Sequence, residues 1–318
     1  MTRSTVLLFA ASALVGCSSR SGNTPSSNLP PTDPSTGGPG TASEPQSTGT
    51  FNIASAKLLR YPVRIASAGG TTYVSDAQNN QVLGVAGGTT TTALTGLDKP
   101  LGLAVAGDLL YVGNAGRKDV EVYSLSQQKY LRSLGGLGAF QMPNSIAVAS
   151  DGTVVVADSK QNVIQVYLAS GAHAQTIGAT GSANGQFNFP SAVAIDDTRI
   201  VVGDQGNHRI QTFDRAGQFA GTFGSEVVSG KSRDDYKGKF TSIAGVALSG
   251  ANLLVLDSAH AYVQVLDAAG NFQGFLGSSG SCPTCMKLGL DVAVTADGAV
   301  LVTDPENSRF VSLSTELR

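Results

Sequence analysis

The residues of this chain that could do chemistry are few and widely spaced. Its three histidines are His173, His208 and His260. A shared zinc site would need them to converge with a further ligand. Each stands in a different copy of the repeating unit that fills the chain, so they read as surface or turn residues. Cys282 and Cys285 frame a Cys-Pro-Thr-Cys segment. Outside the cytoplasm such a pair is expected to be a disulfide, worth only about 2 kcal/mol because the closed loop is so small. A redox pair would want a helix N-terminus to lower a thiol pKa, and no helix is evident there. Haem attachment would want a histidine where Met286 stands. Redox and metal roles remain the alternatives to a structural disulfide. No Gly-x-Ser-x-Gly elbow with partners, Walker loop or dinucleotide fingerprint in a strand–helix setting is present. No cofactor is expected.

A second set of polar residues is periodic. Asp76, Asn114, Asp158, Asp204, Asp257 and Asp304 each end a short β-rich run, at spacings of 38 to 53 residues. A calcium site needs its oxygens within about 2.6 Å of one ion, and equivalent residues of successive repeats lie too far apart for that. They read as turn residues that accept backbone N–H bonds in the turn that follows. Asn79, Asn207 and Asn307 stand three residues on, and Asn162 four residues on. Asparagine tolerates the left-handed conformation that hairpin turns require. Five residues on, Arg209 and Arg309 can reach back across the hairpin; the other copies place Gln81, Asp119, Val163 and Tyr262 there.

The elements that carry these residues are short strands. The clearest unit runs Phe189–Ile195, Arg199–Asp204, Asn207–Phe213 and Phe219–Gly224, with turn residues between the runs. Met142–Val148, Val154–Asp158, Val163–Tyr167 and Gln175–Gly178 repeat it. The average period of about 46 residues suits a four-stranded propeller blade. Runs such as Val154–Ala157 offer no amphipathic helix. The segment Asp204–Phe213 resembles the NHL repeat, and Gly178–Pro190 is similar to that family's link between blades. The resemblance covers about residues 60–318 and implies an all-β, six-bladed β-propeller of four-stranded antiparallel blades. The last unit stops short of a fourth strand. The strand-like run 51–59 is expected to supply it, closing the last blade and sealing the ring. Residues 51–318 then form one propeller domain, expected to be monomeric.

The front of the chain is a different material. Arg3 precedes the apolar run Val6–Ala13, too short to span a bilayer but suited to the middle of a signal peptide. Leu14-Val15-Gly16-Cys17 resembles the lipobox of bacterial lipoproteins. That resemblance implies removal of 1–16, diacylglycerol on the Cys17 sulfur and acylation of the new amino end. Several acyl chains anchor stably where one is marginal. Ser18, rather than Asp, points to the outer membrane if the source is Gram-negative. Residues 17–50 form a Ser/Pro/Gly/Thr-rich tether with little to bury. The chain is therefore expected to be exported and membrane-anchored.

Composition narrows the partners. Of 318 residues 41% are hydrophobic and 14% charged, and Lys+Arg 21 against Asp+Glu 23 leaves a net charge of −2. Nucleic-acid binding rests on clustered Lys and Arg, so no nucleic-acid partner is expected. Some NHL propellers bind RNA on a basic face, but balanced charge argues against that here. Charge concentrates only in the link Ser225–Phe240. There Lys231, Arg233, Tyr236, Lys237 and Lys239 form a possible recognition loop, since long loops often carry binding. Propellers also host ligands at the mouth of the central channel, lined by the first strand of each blade. Among the first strands Ile65–Ala68, Leu101–Val105, Ser145–Ala149, Ser191–Ile195, Ile243–Leu248 and Leu290–Val294, only Asp291 is charged. The sequence favours a non-catalytic binding or scaffold module for a protein, peptide or glycan of the cell envelope. The alternative is a propeller-type hydrolase, lactonase or lyase, which would need a polar channel mouth.

Overall fold

Short runs of Val, Ile, Leu and Ala, punctuated by Gly and Asp turns, produce strands of three to seven residues throughout the ring. The computed structural model describes residues 49–227, 232–280 and 282–313. The leader 1–16, Cys17, most of the tether and Lys231 lie outside the described residues. A two-residue strand, β1 (Thr50–Phe51), precedes the blades. Blade 1 holds β2 (Pro62–Ala68), β3 (Thr71–Asp76), β4 (Gln81–Ala86) and β5 (Thr89–Thr95). Blade 2 holds β6 (Pro100–Ala106), β7 (Leu109–Asn114), β8 (Asp119–Ser124) and β9 (Lys129–Leu134). Blade 3 holds β10 (Pro143–Val148), β11 (Val154–Asp158), β12 (Val163–Tyr167) and β13 (His173–Ile177). Blade 4 holds β14 (Pro190–Ile195), β15 (Arg199–Asp204), β16 (Arg209–Asp214) and β17 (Phe219–Phe223). Blade 5 holds β18 (Ile243–Ser249), β19 (Asn252–Asp257), β20 (Tyr262–Leu266) and β21 (Phe272–Leu276). Blade 6 holds β22 (Val292–Val294), β23 (Val300–Asp304) and β24 (Arg309–Leu313).

The strands assigned to each blade form an antiparallel meander in chain order. The innermost strands β2, β6, β10, β14, β18 and β22 contact one another in sequence, and β22 returns to β2. The chain is thus a closed six-bladed β-propeller, as the repeat implied. The outer strands of blades 1 to 5 each hand over to the next blade through a link that begins at a glycine. Gly178 (φ +91) and Gly224 (φ +95) adopt a conformation that L-residues rarely reach. A Cβ there would come within 2.3 Å of the Phe187 ring and 2.5 Å of the Phe240 ring, the two link phenylalanines buried beneath them.

The expectation for 51–59 is overturned. β1 does not complete blade 6; it pairs antiparallel with β5 at the outer edge of blade 1, Thr50 opposite Thr95 and Phe51 opposite Leu94. Gly49 lets the chain lie flat on that edge, because a Cβ there would meet Tyr123 Oη at 2.5 Å and Leu94 at 2.9 Å. Phe51 then packs edge-on against Tyr123, centroids 5.9 Å apart. The run ends at once in a 3-10 turn, Ile53–Ser55. Blade 1 therefore has five strands, and blade 6 has three among the described residues.

Ring closure rests on a different device. The seams between blades 2 and 3, 3 and 4, 4 and 5, and 5 and 6 each carry a cluster of ten or more buried apolar residues. Among the described residues, the seam between blades 6 and 1 has only Ile65, Val74 and Leu301 buried in its apolar cluster, with Leu59, Ala293 and Phe310 packed against them. Polar contacts reinforce it. The Ile65 amide donates to Asp291 Oδ2 at 3.0 Å, Thr303 Oγ1 donates to the Val63 carbonyl at 3.2 Å, and Arg64 pairs with Asp291 at 3.2 Å.

Candidate ligand site

The channel is where the sequence pointed first, and a residue passed over there fills it. Arg64 lies on β2, one residue before the stretch Ile65–Ala68 from which the channel lining was read. It is 3% exposed. Its Nε donates to the Asn144 carbonyl at 2.7 Å. Nη1 donates to the carbonyls of Ala244 (2.8 Å) and Leu290 (2.9 Å) and to Asp291 Oδ1 (3.2 Å). Nη2 donates to Asn144 Oδ1 (3.0 Å) and the Ser191 carbonyl (2.7 Å). One side chain from blade 1 thus touches blades 3, 4, 5 and 6. Burial pushes the Asp291 carboxyl up, and the Arg64 guanidinium and the Ile65 amide oppose that rise. The reading that only Asp291 is charged there is therefore corrected: the charge is a pair, and its cation came one residue earlier.

The periodic acids are all fully buried. They reach upstream as well as into their own turn. Asp76 accepts the amides of Arg60 and Tyr61, Asp158 those of Gln141 and Met142, and Asp257 those of Thr241 and Ser242. Asp204 accepts the amide of Asn188, and Asp304 those of Lys287 and Leu288. In blade 2, Asn114 Oδ1 accepts the Asp98 amide. Each residue fastens the incoming link to its own blade. The asparagines three residues on donate to the carboxylates: Asn79 to Asp76, Asn207 to Asp204 and Asn307 to Asp304. They are not left-handed, contrary to the sequence reading. The left-handed residue comes four positions on: Asn80, Lys118, Asn162, His208, Ala261 and Ser308. Side-chain donation at the third position leaves the chain reversal to the fourth. Arg209 Nε reaches Asp204 at 2.8 Å, and Arg309 Nε lies 3.5 Å from Asp304.

Blade 2 departs from this plan. Asp119 and Glu121 lie side by side, buried, with Arg117 Nε at 3.6 Å and 3.0 Å. Burial, and then the neighbouring Glu121 carboxylate, push Asp119 up to about 6. The Tyr123 hydroxyl donates to Glu121.

The link 225–240 builds a cavity against blade 5. Ser232 opens a 3-10 turn, Arg233–Tyr236, as a capping box with Asp235. Arg233, Tyr236, His260 and Tyr262 then line a cavity of about 320 Å³ together with Ser232, Ser278 and Ser279. The His260 and Tyr262 rings stack at 5.4 Å, and the Tyr236 ring lies 4.1 Å from His260. His260 Nδ1 is 3.3 Å from Asp257. The Arg233 guanidinium sits 4.4 Å above the Phe275 ring and 5.5 Å from the Tyr262 ring, and donates to the Gly277 carbonyl at 3.2 Å. Burial is the main force holding the Tyr262 phenol well above its ordinary pKa, with Asp257 next. Of the possible recognition-loop residues, Arg233 and Tyr236 enter the cavity. Lys237 pairs with Asp234 at 2.8 Å, and Lys239 is exposed.

Cys282 and Cys285 are joined in a disulfide. It lies in the next link, where Arg309 donates to both their carbonyls at 2.7 Å and 2.9 Å. His173 is on β13, His208 in the blade 4 turn and His260 in the blade 5 turn. Among the described residues no three His, Cys, Asp or Glu side chains converge as a metal site.

Comparison with known proteins agrees with the geometry. Residues 140–167 and 187–213, which span the inner strands of blades 3 and 4, match the NHL repeat. The protein brain tumor of Drosophila melanogaster is 29% identical over 94 residues, which is 29% of this chain but only 9% of that protein. A streptogramin B lyase structure aligns at TM-score 0.57 and 10% identity, covering 84% of this chain and 97% of the lyase. A chain of a nidogen/laminin complex aligns at TM-score 0.55 and 18% identity, covering 68% of this chain and 80% of that one. At these identities the solved structures share the fold.

Proposed function

We propose that this chain is a non-catalytic binding module, anchored to a membrane through lipid on Cys17 and held out on the tether 17–50. The observation that supports this most is Arg64. A propeller enzyme of lyase or lactonase type uses an open polar channel mouth, whereas here the guanidinium engages the surrounding carbonyls and Asp291 across the channel. The sculpted surface lies instead at the link cavity of Arg233, Tyr236, His260 and Tyr262. Large aromatic and arginine side chains in a recess are the usual anchors of binding surfaces. The partner on this reading is a protein, peptide or glycan of the cell envelope, met at the link and not in the channel.

Two measurements test it. Full-length chain carrying Arg233→Ala and Tyr236→Ala is compared with the unaltered chain for retention of envelope components. Loss of a retained component in the variant supports the reading; equal retention overturns the role of the link. Labelling with a fatty-acid analogue and membrane fractionation of Cys17→Ser tests the anchor. An unlabelled wild-type chain, or a variant that still fractionates with membranes, removes it.

A further inference from the structure

A second cavity lies on the opposite face of the ring, where blades 2 and 3 meet. Strands alternate in direction, so the β6–β7, β10–β11 and β12–β13 turns come together on the face away from the links. Between them is a cavity of about 430 Å³, within the range of ligand sites. Its wall carries the apolar side chains of Ala106, Leu109, Val148, Ala149 and Ala169.

The repeat shows why this space is open. Ala169 stands two residues past Tyr167, where blade 4 has Arg215 two residues past Phe213. Arg215 crosses to blade 3, pairing with Asp151 at 2.6 Å and donating to Thr153 Oγ1 at 3.0 Å. Leu109 stands five residues before the anchoring Asn114, where blade 4 has Arg199 before Asp204. Arg199 crosses to the Ala268 carbonyl of blade 5 at 3.3 Å. The seam between blades 2 and 3 has no guanidinium at either position. Arg132 reaches the Ala169 carbonyl from β9 at 3.0 Å without entering the lining.

The same seam carries an unused donor. Three residues before the anchor, blades 3, 4 and 5 have Val155, Val201 and Leu254, and blade 2 has Tyr111. Tyr111 is 2% exposed and lines the cavity. Its hydroxyl keeps accessible surface and has no hydrogen-bond partner among the described residues. Burial pushes the phenol up, and the Arg132 charge opposes this, which makes the phenol the better donor. Ser150 also lines the space, but its hydroxyl already donates to Asp197. Tyr111 is thus the one lining side chain with a proton to give. No charged side chain lines the cavity, so an ionic ligand would lose water without meeting a counter-ion.

We infer that this cavity binds a small uncharged molecule with an apolar body, whose buried end carries a carbonyl-type oxygen that accepts the Tyr111 hydroxyl. The body lies against Leu109, Val148 and the alanines, and any donor at its outer end meets the lone pairs of Ser150. The site is separate from the link cavity and shares no residue with it.

The test is titration of the full chain with probes that share one body: acetylnaphthalene, methylnaphthalene, naphthoate and naphthylmethylammonium. The ketone is expected to bind about fivefold more tightly than methylnaphthalene, the worth of one hydrogen bond, and more tightly than either ion. Tyr111→Phe is expected to lose that fivefold for the ketone and nothing for methylnaphthalene, with a level melting temperature because the hydroxyl has no partner in the free protein. Ala169→Arg, at an exposed turn position, copies blade 4 and is expected to abolish binding of every probe while the melting temperature holds. Tighter binding of naphthoate or the ammonium, equal binding of ketone and methylnaphthalene, or a ketone affinity unmoved by Tyr111→Phe would each overturn the inference, as would failure of the ketone to bind. None of these outcomes bears on retention of envelope components through the link.

Discussion

Replacing Arg64 by methionine tests how the ring is closed. The side chain is buried and meets six acceptors in blades 3, 4, 5 and 6, one of them the Asp291 carboxylate. Removing one partner of a buried pair costs about 3–5 kcal/mol, because the other charge is left buried. The four carbonyls lose donors as well, but water taking the place of the guanidinium restores those bonds, so the upper figure is not exceeded. Among the described residues, the seam this side chain reinforces has the smallest apolar cluster of the six seams. At about 2–4 °C per kcal/mol for a domain of this size, the melting temperature falls by roughly 6–20 °C. Without the guanidinium, only the Ile65 and Val292 amides oppose the effect of burial on Asp291, which rises further and takes up a proton. Protonation removes the buried charge, so the deficit narrows as pH falls. Thermal denaturation of both proteins from pH 8 to pH 5, with the double variant Arg64→Met/Asp291→Asn, reads this directly. The double variant is expected to recover part of the loss. A fall of less than about 2 °C, or single and double variants that lose equally, refutes closure by this pair.

Other positions give sharper local readouts. Asp119 has an ordinary pKa of 3.8 and is raised to about 6 in the fold, so its contribution is full below about pH 4 and lost as pH rises through 6. Asp119→Asn is therefore more stable than wild type at pH 8, by up to about 3 kcal/mol, and equal to it at pH 4; a pH-independent difference contradicts the cause assigned. Asp204→Ala removes the carboxylate that accepts from Arg209, Gln211 and the Asn188 amide and leaves the Arg209 cation without its counter-ion, and should cost about 3–5 kcal/mol by denaturant titration. Thr50→Cys with Thr95→Cys joins residues paired across β1 and β5, within reach of a disulfide. Mild oxidation should form it in the folded chain, and its absence would remove β1 from that edge.

The sequence alone determined what depends on neighbours in the chain. Strand period, Gly and Asp turns and the six-fold spacing are local signals, because strands pair with their sequence neighbours in a meander. The reach of Arg209 across its hairpin was legible for the same reason, being five residues from Asp204. The third-position asparagines were misread, since side-chain donation and a left-handed backbone are both local uses of the same residue type. The tertiary structure alone decided contacts made when the circle closes. Arg64 and Asp291 are 227 residues apart, and nothing in either segment announces the other. The edge that β1 joins turned on whether Gly49 could pass over Tyr123, a packing question between segments more than 70 residues apart. The link cavity likewise joins residues 232–236, 260–262 and 278–279. Each piece reads as a turn or loop by itself, and only the stacking of blade 5 between its two links brings their rings and donors to face one space.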